Sequence, residues 1–148
     1  MKEGTSIFEN EISPYTQGTY VVIGGVCTMV LAKLVVLLGI IKLPFYYPWV
    51  ISASFLMLFA IINAVLSLAS KNQNEYWGKG ITTYMGVGII TGVVAYLLSG
   101  SGLFETKSFS WIYVVFTLGY ILFLVMVRSM RKIMRIAEEQ ERRMRQEQ

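Results

Sequence analysis

The chain has 148 residues, 55% of them hydrophobic and 15% charged, with a net charge of +4 and a mean hydropathy of +0.56. That balance excludes an ordinary water-soluble domain of this length. Asp and His are absent and there is one cysteine, which rules out an internal disulfide and removes the residues that most metal sites and general-base mechanisms need.

Residues 1–18, MKEGTSIFENEISPYTQG, set Glu3, Glu9 and Glu11 against Lys2. A secretory signal needs a basic start, and lipoprotein processing at Cys27 needs a small residue where Val26 stands. The stretch therefore reads as a cytoplasmic N-terminal segment, with Cys27 a small packing residue. Four apolar runs follow, at 19–41, 47–69, 81–98 and 111–127. Each is near the roughly 20 residues that cross about 30 Å of hydrocarbon as a helix, whereas a membrane barrel needs at least about eight strand segments. The expected fold is all-α, an integral four-transmembrane-helix bundle of two antiparallel hairpins.

The first run carries Lys33, eight residues or about 12 Å inside its end at Ile41. A lysine at that depth either snorkels or is buried for packing, or marks a functional site. Under a four-span topology Ser54, Thr91 and Thr117 fall near the same depth on the other helices, with Tyr120 a turn deeper. They form a candidate intramembrane polar site around Lys33, because hydroxyls accept hydrogen bonds from an ammonium group. Asn63, Tyr84 and Thr28 make a second polar level deeper in. Pro44 and Pro48 bracket the connection to the second run and point to a tight hairpin.

Helices in lipid associate through close packing, so small residues at helical spacing mark contact faces. Such stripes are Gly25, Thr28, Ala32 and Gly39 in the first run, and Ala53, Ala60, Ala64 and Ser67 in the second. The third has Gly88, Gly92, Ala95 and Ser99. Gly88 and Gly92 form GxxxG, read as internal packing ahead of an oligomer interface. The stretch 70–80, SKNQNEYWGKG, reads as a polar loop, and 99–110 as a second external loop.

From Arg128 the last run passes into RSMRKIMRIAEEQERRMRQEQ without Gly or Pro, so the helix is expected to continue as a charged cytoplasmic tail over 128–148. Glu138 with Arg142, Glu139 with Arg143 and Glu141 with Arg145 are i, i+4 pairs in the favourable order. Apolar residues in its heptad positions are too few for a secure coiled coil. Arg128, Arg131, Lys132 and Arg135 lie within reach of anionic lipid headgroups or a partner. Placing both termini inside puts ten of the thirteen Lys and Arg on the cytoplasmic side and leaves only Lys42 and Lys107 outside, the bias the positive-inside rule requires. Trp49, Trp77 and Trp111 lie near run ends, as interfacial aromatics do.

No catalytic cluster, cofactor motif, metal set or nucleic-acid face is legible. The sequence thus points to a non-enzymatic accessory, assembly or scaffold subunit of a membrane complex. It would work with a protein partner or as a homo-oligomer, and composition suggests a bacterial cytoplasmic membrane. The alternative is a small oligomeric transporter or channel for an anion or polar solute, with Lys33 on its path.

Overall fold

A computed structural model describes residues 13–69, 73–106 and 109–146. The expected N-terminal segment before Ser13, with Lys2, and the positions of Lys71 and Lys107 lie outside these residues. The fold is all-helical, in the order α1 (Pro14–Leu37), α2 (Tyr47–Ala69), α3 (Gln73–Ser99), a single 3₁₀ turn (Leu103–Thr106) and α4 (Phe109–Gln146). No strand occurs among the described residues. All four α-helices are long and apolar enough to cross a membrane.

Helix boundaries differ from the apolar runs for local reasons. Proline is suited to the first helical position, where its missing N–H costs nothing, so α1 starts at Pro14 rather than at residue 19. The Ser13 carbonyl accepts the Gln17 N–H at 3.2 Å. At the other end Gly39 adopts φ 71°, and the Gly39 and Ile40 N–H groups bond Val36 O and Val35 O at 3.0 and 3.3 Å. This is a Schellman cap. It ends α1 before 41 and corrects the reading of Gly39, which terminates the helix and has no neighbour within 4 Å of a β-carbon position. In α3 the polar stretch 73–80 is helical, not loop. Glu75 lies in its first turn and pairs with Lys79 at 2.6 Å, while Tyr76 is buried in the bundle. Gly100, at φ 68°, closes α3 through a bond from its N–H to Tyr96 O at 2.9 Å.

The packing follows one stripe on α2. Trp49, Ser52, Ala53, Leu56, Phe59, Ala60, Asn63, Ala64 and Ser67 are all buried, at the three- and four-residue steps that line one helix face. Through that face α2 meets α1, α3 and α4; α1 and α3 also pack on each other, and α4 leans chiefly on α2. A β-carbon at Gly18 would collide with the Thr83 methyl, and one at Gly25 would fall 3.3 Å from the Phe55 ring. These glycines therefore bring α1 close to its neighbours. Cys27, expected to pack inside, is exposed. Much of the apolar surface faces outward, with Leu31, Leu37, Ile89 and Leu122 each more than 60% exposed. Less than half of each apolar stretch is buried within the chain.

Contacts define two ends. At the loop end, Met29 of α1, Trp49 of α2 and Ala95 of α3 form a small core, close to the connections 38–46 and 100–106. At the tail end, Val21, Phe59, Ala64, Tyr84, Tyr120 and Leu124 belong to the larger core.

Candidate functional site

The lysine that breaks the first apolar run serves the loop end. Its ammonium donates a 2.9 Å hydrogen bond to the Leu98 carbonyl in the last turn of α3. The last four carbonyls of a helix have no partner within it, and a cation there also meets the negative end of the helix dipole. Lys33 is thus a side-chain cap reaching from α1 to the end of α3. Beside it, Trp49 Nε1 donates to Ser101 O at 3.2 Å and Tyr113 OH donates to Trp49 O at 3.2 Å. Residues from α1, α2, α3 and α4 are thereby tied at the loop end.

The hydroxyls expected around Lys33 are placed elsewhere. Ser54 points outward and donates to Val50 O of its own helix at 2.9 Å. Thr91 is fully buried, donates to Val87 O at 2.7 Å and accepts from Ser52 Oγ at 2.9 Å. Thr117 donates to Tyr113 O at 2.8 Å and lies 3.1 Å from Tyr84 OH. Each hydroxyl is satisfied by a helix carbonyl or a second hydroxyl, and none holds the ammonium. Equal depth along four helices did not mean a shared face.

The polar residues that do converge lie at the tail end. Tyr120 OH donates to Asn63 Oδ1 at 2.8 Å, and Asn63 Nδ2 points to Gln17 Oε1 at 3.5 Å. Tyr84 stacks on Tyr120 with centroids 4.5 Å apart. Gln17, Asn63 and Tyr120 are all at least nine-tenths buried. Gly80 gives the cluster its room, since a β-carbon there would fall 2.6 Å from Asn63 Oδ1. Four helices meet in this cluster, where Tyr120, Asn63 and Gln17 are linked in a chain while the buried Gln17 Nε2 is left without a partner. Asn63 and Tyr84 were expected at one level, and both touch Tyr120. Thr28, assigned to the same level, is exposed and bonds Gly24 O. Gln17 was missed because residues 1–18 read as a cytoplasmic segment outside the bundle; the Ser13-Pro14 helix start was the signal that could have placed it.

Of the small-residue positions, Ala60, Ala64 and Ala95 are buried, Gly25 packs on Phe55, and Ala32 is half-buried. Gly88 and Gly92 meet only side chains of α2, at 3.7 Å from Leu56 and 3.8 Å from Trp49. Their outer side opens on a cleft of about 500 Å³ between α3 and α4.

Beyond the bundle, α4 runs on from Arg128 to Gln146, nearly 30 Å of helix. Arg128 lies over the Trp77 ring at 5.6 Å and joins the tail to α3. Lys132 and Arg135 are exposed and Arg131 is half-exposed. Arg135 reaches Glu139 at 3.9 Å and Glu141 pairs with Arg145 at 3.0 Å. Met130, Ile133, Met134 and Met144 are exposed. Among the described residues no three His, Cys, Asp or Glu side chains group as metal ligands would.

No protein-family model, curated protein or solved structure matches this chain.

Proposed function

We propose that this chain is an integral membrane protein of two antiparallel helix hairpins with both termini on the cytoplasmic side. It acts as a non-enzymatic accessory or assembly subunit that docks a partner through its tail. Bilayer placement is supported by the outward apolar faces of all four helices, which would form patches far larger than soluble monomers expose. Orientation is supported by the charge bias, with Arg128, Arg131, Lys132 and Arg135 grouped where the anionic headgroups of the inner surface would lie.

The observation that carries the docking role is the tail itself. A helix of this length makes few contacts beyond its first turn, yet presents Met130, Ile133, Met134 and Ile136 to the surroundings. Exposed apolar side chains with flexible, polarizable methionines are what adaptable helix-docking surfaces use. The transport alternative has no comparable support, because the ammonium that would mark its path is engaged by the Leu98 carbonyl. Affinity purification in mild detergent tests the docking role. The full chain should retain a membrane partner in fixed ratio, and the chain ending at residue 129, which lacks Met130, Ile133, Met134 and Ile136, should lose it. Retention of that partner by the shortened chain would refute docking by the tail.

A further inference from the structure

We infer that the tail docks on the tail of a second copy of this chain, in a parallel pair whose seam runs along α4 from Gly119 to Met144. The inference rests on the docking role proposed above and names the partner. On a heptad repeat abcdefg, Phe123, Met130, Ala137 and Met144 fall at a, and Gly119, Met126, Ile133 and Gln140 fall at d. Each of these residues is exposed in the single chain. The tail by itself has too few such positions for a secure coiled coil, but the seam begins within the apolar run and so extends for about 38 Å. It lies roughly 130° round the helix from Tyr120, Leu124 and Val127, the buried stripe that faces the bundle, so the bundle leaves it uncovered.

Continuity across the membrane boundary narrows the occupant. A soluble partner could reach the tail part of the seam but not Gly119, Phe123 and Met126 within the apolar run. The bilayer surface could cover the tail only if α4 bent over, yet α4 is one helix from Phe109 to Gln146, with no Gly or Pro after Gly119 to kink it. The occupant must therefore cross the bilayer and project beyond it in the same direction, with an apolar stripe in the same phase. The α4 of another copy has that length and that stripe.

Charge supplies the other half of the argument. In a parallel pair each seam residue meets its own counterpart, so a charged seam would repel itself. Between Arg128 and Gln140 the charged residues Arg128, Arg131, Lys132, Arg135, Glu138 and Glu139 all fall at b, c or f, away from the seam. Glu141 and Arg143 flank it only near its far end, and Glu141 is paired with Arg145 of its own helix at 3.0 Å. The one polar seam residue, Gln140, suits its own copy, because an amide carries both donor and acceptor and two of them can bond across the pair. A single polar residue in an apolar seam fixes register in this way. Gly119 has nothing within 4 Å of its β-carbon position, which lets two helices approach closely. Beside it, Met57 and Ile61 of α2 form with Gly119 and Phe123 a groove of about 300 Å³, where the Phe123 ring of the second copy would fit.

Disulfide cross-linking of the full chain in native membranes tests this. A disulfide needs β-carbons about 4 Å apart, which seam positions of a parallel pair provide and outer positions do not. In a Cys27→Ser background, Met130→Cys and Ala137→Cys proteins should each form a linked dimer of twice 16.7 kDa on oxidation, and Lys132→Cys should stay monomeric. All three positions are exposed, so folding should be undisturbed. Copies carrying two different tags should co-purify in mild detergent in equal amounts. Ala137→Asp in both copies should raise the dissociation constant of the pair at least about tenfold, by setting like charges face to face. Seam cysteines that link no more than Lys132→Cys would overturn the inference, as would a pair that survives in the chain ending at residue 129. Docking itself is read separately. If the full chain retains a different membrane protein, loses it on truncation at residue 129 and never retains its other-tagged copy, docking stands and self-pairing is refuted. If truncation loses nothing, both are refuted.

Discussion

Gly80→Ala adds one carbon to the tail-end polar cluster and should destabilise the bundle. The new β-carbon would lie 2.6 Å from Asn63 Oδ1 and 3.3 Å from Tyr120 OH. Asn63 is fully buried and cannot swing away, so its amide must shift. That shift disturbs the 2.8 Å bond from Tyr120 and the longer contact with Gln17. Overpacking costs about 1–3 kcal/mol, and an interhelical hydrogen bond in a membrane bundle averages about 0.6 and reaches about 1.7 kcal/mol. Against this, alanine gains up to about 1 kcal/mol over glycine in helix propensity. The net loss should be about 1–2 kcal/mol. It can be measured as the shift in sodium dodecyl sulfate unfolding of the purified protein, with Gly86→Ala as control. Gly86 has open space around its β-carbon position, so the control should be neutral or slightly stabilising. In an Asn63→Ala background the Gly80 penalty should largely vanish, since the two side chains would no longer compete. A Gly80→Ala protein as stable as the control would refute the packing argument.

Three further outcomes follow from the geometry. Gly39→Ala should cost about 1–2 kcal/mol in the same unfolding assay, because φ 71° is left-handed and a β-carbon opposes that conformation; no loss would mean that the α1 cap is wrongly described. Lys33→Met should cost about 0.3–1 kcal/mol by leaving the Leu98 carbonyl without its cation, and Lys33→Arg should recover most of it; equal stability of all three proteins would contradict the cap. Paired Ile133→Asp and Met134→Asp changes, at exposed positions beyond the bundle, should leave unfolding unchanged and abolish partner co-purification. Loss of stability would instead place those side chains in the core.

The architecture was legible because its signals are long. Four apolar runs predict four helices, and the absence of Gly and Pro after Arg128 predicts the continuous α4. Ends were harder. Gly39 looks like a packing residue in a small-residue stripe, and only its backbone angle reveals a cap. The stretch 73–80 looks like a loop by polarity, yet Tyr76 anchors it and the Glu75–Lys79 pair supports it. In the candidate site, residues were grouped by depth alone, which treats a helix as a line. Ser54 and Ser52 differ by only two positions but point about 160° apart, so Ser52 reaches Thr91 while Ser54 faces outward. The stripe Ala53, Ala60 and Ala64 already identified the inward face, and reading Ser52 and Asn63 against it would have found both buried partners. The Lys33 cap was not legible, because it depends on how far α3 extends beside α1.

The most direct test of the account is the side of the membrane on which each end of the bundle lies. In a Cys27→Ser background, single Phe104→Cys and Met144→Cys proteins can be treated with a membrane-impermeant maleimide in intact and in permeabilised cells. Phe104 lies in the 3₁₀ turn and Met144 near the end of the tail, and both are exposed. Labelling at 104 in intact cells, and at 144 only after permeabilisation, is the result predicted for helices that cross the bilayer with the arginine-rich tail inside. Equal labelling of both positions in intact cells, or the reverse pattern, would contradict it.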